Sequence, residues 1–172
     1  GIDIYDEVYP ERLVAWRSAV THVPQNIYLA DCSIAENIAF GVPFERINFE
    51  RVKLAAEQAQ IANFIESSPE GYQTFVGERG IRLSGGQRQR IGIARALYKQ
   101  ARVMVLDEAT SALDKDTEEA VMTAINSLSK SLTVIMIAHR LSTVQRCDRV
   151  IRLCKGVVVA DGPPREVLPT PN

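Results

Sequence analysis

The chain contains 172 residues, of which 46% are apolar and 24% charged, and its formal net charge is -1. These proportions are typical of one globular domain and exclude a disordered or fibrous chain. A pI near 6.2 gives no basic excess, so we expect no nucleic-acid partner. Cys32, Cys147 and Cys154 lack CxxC spacing, which argues against a disulfide framework or a zinc site. No apolar run reaches the ~18 residues of a membrane span, so any membrane contact is expected from another segment.

Short β-rich runs predict strands at residues 18–23, 103–106, 132–138 and 149–153. Two of these runs, 103–106 and 132–138, are apolar almost throughout, which is typical of strands covered on both faces. The last run continues through Lys155-Gly156, a predicted hairpin turn, into another strand. Because helical stretches separate the strands, we predict an α/β fold with a mostly parallel sheet and an antiparallel edge.

A helical insertion interrupts this alternation, because residues 33–80 contain no convincing strand. Ser33 and Glu36 predict a capping box, and Gly41 predicts the stop of that helix. A longer helical stretch is predicted over residues 48–65 from its apolar spacing.

We therefore predict a helical subdomain over residues 33–98 and assign residues 1–32 and 99–172 to the α/β core.

Polar residues follow several of the predicted strands. Asp107 and Glu108 end a buried strand, at the edge where open α/β sheets bind ligands. Because successive strand residues point to opposite sides, one carboxylate is expected to face a Mg²⁺ shell and the other a water. Such a pair alone would also fit two acids entering a loop, and a lone histidine is usually structural. However, Gln25 and His139 also follow strands, which favours one shared polar rim.

Residues 83–97, LSGGQRQRIGIARAL, combine a serine and two glycines with the start of a helix. Ser84 can cap this helix, and Gly85 and Gly86 allow an anion to approach backbone N–H groups that a Cβ would block. Gln87 adds a polar side chain, and Gly92 is predicted to serve close helix packing. The GxxxxGK[ST] loop that normally accompanies such a phosphate site is absent from these 172 residues.

Five segments, in this order, resemble the nucleotide-binding domain of ATP-binding cassette (ABC) transporters: VPQN the Q-loop, LSGGQ the signature, VMVLDE the Walker B strand, SALD the D-loop and His139 the switch histidine. VGERG at residues 76–80 is similar to the X-loop of exporter-type members. The resemblance implies a P-loop NTPase-like (RecA-like) core with an inserted helical subdomain. It also implies N-terminal truncation, because the family's Walker A loop lies upstream.

The resemblance implies ATP and Mg²⁺ as cofactors, and a homo- or heterodimer in which the signature of one domain binds the ATP held by the other. It assigns Mg²⁺ binding to Asp107 and Gln25, and catalysis to Glu108, Gln25 and His139. The residues assigned to the partner's nucleotide are Ser84, Gly85, Gly86, Gln87 and Asp114, and Asp114 is also assigned, with Ser111, to the dimer seam. Contact with the transmembrane domain is assigned to Gln25 and Glu78.

The function implied is that of an ABC exporter subunit at the cytoplasmic face of the plasma (inner) membrane, coupling ATP hydrolysis at a dimer interface to transmembrane export. The 172 residues alone are expected to be inactive without Walker A. Two alternatives stay open at this stage: a non-transport ABC ATPase of the chromosome-maintenance or repair type, and a degenerate ABC module without catalysis.

Overall fold

A computed structural model describes residues 10–127, 132–138 and 141–168. The helices are α1 (Pro10–Ala19), α2 (Ile34–Ile38), α3 (Phe49–Gln58), α4 (Ala62–Glu66), α5 (Gly85–Lys99), α6 (Lys115–Ser127), α7 (Leu141–Val144) and α8 (Pro164–Val167). The strands are β1 (Val20–Val23), β2 (Val103–Asp107), β3 (Thr133–Ile137), β4 (Val150–Cys154) and β5 (Val157–Gly162). Contacts divide the chain into two compact units, Gly1–Met136 and Ile137–Asn172.

The sheet of the first unit has the order β1-β2-β3. β1 and β2 run parallel, with Val20 opposite Val103 and Val23 opposite Leu106. This arrangement confirms the predicted α/β class with a parallel sheet. Parallel strands that are paired end at the same edge of the sheet. The residues that follow Val23 and those that follow Leu106 therefore lie at the same edge.

β1 is shorter than its predicted run of residues 18–23. Ser18 and Ala19 belong to α1, where the Ser18 hydroxyl donates to the Ala15 carbonyl oxygen at 2.7 Å. The first two residues of the predicted strand therefore lie in the last turn of α1, a helix that the sequence analysis does not predict.

In the second unit, β4 and β5 pair antiparallel through a turn at Lys155 and Gly156. Both turn residues have positive φ, 48° and 78°, as a tight two-residue hairpin requires. This confirms the predicted turn. The predicted placement of the hairpin as the edge of the parallel sheet is wrong, because β4 and β5 form a two-stranded sheet of their own among the described residues.

The predicted helical stretches form, with one break. Ser33 and Glu36 make the predicted capping box of α2, in which the Glu36 side chain accepts from the Ser33 backbone N–H at 3.0 Å. The run over residues 48–65 is split, because Gln60 adopts a φ of 57° and the Ile61 N–H turns back to the Ala56 carbonyl at 2.9 Å. This left-handed C-terminal motif ends α3 before α4 begins.

A continuous core joins the helices to β1 and β2. Residues with no exposed surface include Ile34, Ile38, Val52, Ile65 and Ile91, from four different helices. No helix in the described ranges has both the length and the apolar content that crossing a bilayer requires.

Candidate functional site

The ends of β1 and β2 bring two predicted site residues into contact. The side-chain amide of Gln25 donates a 2.7 Å hydrogen bond from Nε2 to Oε2 of Glu108. These residues are 83 positions apart in the sequence, so the parallel pairing of the two strands creates this contact. The predicted polar rim therefore exists for Gln25 and Glu108.

The backbone turns sharply where β2 ends. Asp107 is the last residue of the strand, and Glu108 has a φ of 48°, in the left-handed region that non-glycine residues rarely adopt. Strand alternation does not apply to Glu108, because this residue has already left the strand, so the separation of the two carboxylates stays a prediction. The position of its carboxylate is instead marked by the hydrogen bond from Gln25.

His139 lies outside the described residues, so its placement on the rim stays a prediction. Across the residues that are described, no group of three His, Cys, Asp or Glu side chains is arranged as metal ligands would be.

The start of α5 is capped as the sequence predicts. The Ser84 hydroxyl oxygen accepts from the Gln87 N–H at 3.2 Å, and the Gln87 side-chain oxygen accepts from the Ser84 N–H at 2.8 Å. Ser84 is exposed, so the tip of the helix faces solvent. The sequence predicts Gln87 as an additional polar contact to phosphate, but its side-chain oxygen accepts the hydrogen bond from the Ser84 N–H within the capping box.

The two glycines at this tip lie against the loop that follows β2. A Cβ built on Gly86 would lie 3.1 Å from the Ala112 carbonyl oxygen, and one built on Gly85 would lie 3.6 Å from the Ala112 Cβ. The first distance is tighter than ordinary contact. A side chain at position 86 would therefore crowd the Ala112 carbonyl, so Gly86 favours close packing within this chain in addition to any close approach of a phosphate.

Asp114 ends the same loop and starts α6. One carboxylate oxygen accepts from the Thr117 N–H at 2.9 Å and the other from the Thr117 hydroxyl at 2.7 Å. The hydrogen bond from the Thr117 backbone, followed by that from its side chain, lowers the pKa of Asp114. Asp114 is thus an exposed helix cap, and a role in binding nucleotide would have to use these same oxygens.

An open cavity of about 420 Å³ lies between the start of α5, the loop after β1 and the loop after β2. Its walls include Gln25, Gly85, Arg88, Gln89 and Ser111. The cavity therefore connects the residue that contacts Glu108 with the first turns of the glycine-led helix.

Two residues that the sequence analysis did not single out hold the loop after Gln25. Asn37 is fully buried, and its side chain accepts from the Ala30 N–H and donates to the Ala30 carbonyl, both at 3.0 Å. Arg95 donates to the Tyr28 carbonyl at 3.0 Å and to the Asn37 carbonyl at 2.9 Å. Burial lowers the pKa of the Arg95 guanidinium.

The same loop also packs directly onto α5. A Cβ on Gly92 would lie only 2.5 Å from the Ile27 Cδ1, which supports the predicted packing role of this glycine.

Glu78 lies in a short 3₁₀ turn, Glu78–Gly80, and is exposed. Next to it, Arg88 of α5 donates from Nη1 to the Leu83 carbonyl at 2.7 Å and to the Gly80 carbonyl at 3.4 Å. The turn that carries Glu78 is thus tied to the glycine-led helix.

Comparison with known proteins gives consistent matches. The family model described as ABC transporter matches residues 2–111. An ATP-dependent lipid A-core flippase of Alkalilimnicola ehrlichii is 48% identical over 157 residues, covering 91% of this chain and 26% of the flippase. Mitochondrial ATP-binding cassette sub-family B member 10 of Mus musculus is 47% identical over 157 residues, covering 91% of this chain and 22% of that protein.

Among solved structures, a bacterial Atm1-family ABC exporter with ATP bound superposes with a TM-score of 0.85 and 40% identity, over 90% of this chain and 27% of that one. The chain thus spans about a quarter of the length of the flippase and of the solved exporter.

Proposed function

Because the chain belongs to the ABC transporter family, we propose that it is part of the ATP-hydrolysing domain of an ABC exporter. The observation that carries this proposal is the 2.7 Å hydrogen bond from Gln25 to Glu108 at the common edge of β1 and β2. This edge is where open α/β sheets bind their ligands, and a carboxylate oriented there by an amide can accept a proton from an attacking water.

Export is favoured over the two alternatives. The relatives are named as a lipid A-core flippase and as an ATP-binding cassette sub-family B member, and the similar structure is titled an ABC exporter. None of these names concerns chromosomes or repair. The presence of Glu108 and its contact with Gln25 favour a catalytic domain over a degenerate module.

The donors at the strand ends fit Mg²⁺. This ion prefers oxygen ligands and usually keeps several waters, with one or two protein carboxylates and substrate phosphates completing its shell. Asp107 and the side-chain oxygen of Gln25 would supply the protein donors. Bound there, Mg²⁺ would neutralise charge on the phosphates of ATP.

The residues of the edge would divide the chemistry between them. Glu108 would orient the attacking water and draw its proton, and Gln25 would hold the Glu108 carboxylate in place. His139 would donate a hydrogen bond to the γ-phosphate. Because phosphoryl transfer needs little covalent help, this positioning supplies most of the catalytic effect.

The exposed tip of α5 serves a second nucleotide in this proposal. Ser84, through its hydroxyl, and Gly85 and Gly86, through their backbone N–H groups, would bind the phosphates of an ATP held by a second copy of the domain or by a homologous one. Gln87 would support the tip through the capping box. Asp114 and Ser111 would lie at the seam between the two domains.

The transmembrane domain would contact the exposed turn at Glu78 and the loop that begins at Gln25, at the cytoplasmic face of the plasma (inner) membrane. These 172 residues contain no GxxxxGK[ST] loop. We therefore expect ATP hydrolysis only when that loop is supplied with them, and none from the 172 residues alone.

Steady-state phosphate release by the protein made from its complete coding sequence tests the proposal. Glu108→Gln is expected to lower turnover by ~10²- to 10⁴-fold, the range for loss of a general base, and to leave ATP binding intact. Glu45→Gln, which makes the same change at an exposed turn, is the matched control and should keep turnover. Turnover of Glu108→Gln near that of the control would contradict the assignment of Glu108.

A further inference from the structure

Gln89 is a buried amide in α5, only 5% exposed, with both ends of its side chain bound to the loop after β2. Its Nε2 donates to the Ser111 hydroxyl oxygen at 3.1 Å, and its Oε1 accepts from the Ala112 N–H at 2.9 Å. These partners are 22 and 23 positions away in the sequence. A buried amide satisfied at both ends fixes the geometry of the segment that it holds.

That segment begins with Glu108. The Ser111 N–H donates to the Glu108 carbonyl oxygen at 3.0 Å, which closes a turn over the residues between them. Glu108 occupies the left-handed region with a φ of 48°, and such a conformation in a non-glycine residue persists only where its surroundings enforce it. Gln89 therefore restrains the far end of the turn in which the strained residue stands.

The contact at Gly86 gives a second, independent link between the same two segments. The Ala112 carbonyl lies so close to this glycine that a Cβ would approach it to 3.1 Å. The Ala112 N–H thus donates to Gln89, and the Ala112 carbonyl packs against Gly86 in the first turn of α5. Gln89 and Ser111 also line the cavity that Gln25 lines. Because Gln25 donates to Glu108, these contacts lie close to the Glu108 carboxylate.

We propose that Gln89 is a positioning residue for the Glu108 carboxylate. By holding Ser111 and Ala112, it keeps the turn at Glu108 in the conformation in which Gln25 reaches the carboxylate. This inference rests on the proposed function, because it assigns Glu108 a part in hydrolysis.

The test compares Gln89→Leu and Gln89→Glu in the protein made from its complete coding sequence. Leucine removes both hydrogen bonds at similar volume, whereas glutamate can still accept from the Ala112 N–H and from the Ser111 hydroxyl. We expect Gln89→Leu to lower kcat by about 10- to 100-fold with little change in KM, as loss of supporting contacts does elsewhere. Gln89→Glu should recover most of that loss.

A double-variant measurement distinguishes a positioning role of Gln89 from a merely structural one. In a Glu108→Gln background, Gln89→Leu should reduce turnover no further, because it acts through the group already removed. Tyr98→Phe is the control for general destabilisation: it lies in the same helix and is buried, and it loses only the hydrogen bond from the Asn48 N–H at 3.3 Å. This control should lower stability and leave turnover unchanged.

The outcomes separate the two proposals. Suppose that Glu108→Gln slows hydrolysis. If the turnover of Gln89→Leu then stays within about two-fold of the parent, or if the fold-losses of the two variants multiply in the double variant, the role of Gln89 is wrong and the proposed function stands. If Glu108→Gln itself does not slow hydrolysis, the proposed function fails. Should Gln89→Leu not fold, Gln89→Met, with a more adaptable side chain, is measured against the same criteria.

Discussion

The helical region and the C-terminal strands bury their aliphatic side chains to very different degrees. Ile34 of α2 and Ile91 of α5 have no exposed surface, whereas Ile137 of β3 is 50% exposed and Leu153 of β4 is 65% exposed. The two exposed side chains belong to the more apolar segments, because β3 (TVIMI) and β4 (VIRLC) are richer in apolar residues than α2 (IAENI) and α5 (GGQRQRIGIARALYK). Burial here therefore depends on whether another element covers the side chain, and local hydrophobicity does not decide it.

The difference has a structural cause. The helices α2, α3 and α5 pack against one another, and α5 also contacts β1, so their apolar faces close a core. In β3 the exposed side chains alternate with half-buried ones, and in β4 and β5 most side chains are exposed. The expectation that the run at residues 132–138 is covered on both faces is therefore wrong for the part of the chain that the structure describes.

A matched pair of isoleucines gives the largest expected effect on stability. Ile91→Ala should lower the free energy of unfolding by about 2–5 kcal/mol, because it leaves a cavity in a closed core. Ile81→Ala, at a position that is 81% exposed, should change it by less than about 0.5 kcal/mol. Urea denaturation followed by circular dichroism measures both values. Equal losses at the two positions would contradict the contrast in packing.

A smaller effect is expected from introducing the same hydroxyl into the two regions. Val52→Thr in the closed core should cost about 1–3 kcal/mol, because the hydroxyl replaces a buried methyl. Val157→Thr, at a position that is 64% exposed, should be nearly neutral and should reduce self-association in light scattering. A cost at Val157 as large as that at Val52 would show that this side chain is covered in the protein measured.

Local patterns were read correctly from the sequence. The capping residues Ser33 and Ser84 and the hairpin turn at Lys155 and Gly156 each depend on residues within a few positions of one another. The parallel pairing that brings Gln25 to Glu108 followed from general rules for α/β sheets. The helix caps and the hairpin turn therefore needed no knowledge of distant contacts.

Other features depend on partners that are distant in the sequence. Asn37 and Arg95 are 58 positions apart, and Gln89 reaches a loop 22 positions away, so no local pattern identified any of them. The left-handed conformations of Gln60 and Glu108 were missed because neither position carries the glycine that usually signals them. A polar residue on an otherwise apolar helix face, as at Gln89, is the signal that could have pointed to a buried contact.

In the proposed arrangement, the tip at Ser84 serves the nucleotide of a second subunit, while Gln25 and Glu108 serve the nucleotide of their own. ATP turnover by linked dimers made from the complete coding sequence, with Ser84→Arg in one half and Glu108→Gln in the other, tests it most directly. We expect turnover well above that of dimers carrying either change in both halves, because both lesions fall on one site and the other site is intact. Turnover as low as in those dimers would contradict it, because each lesion would then have disabled a different site.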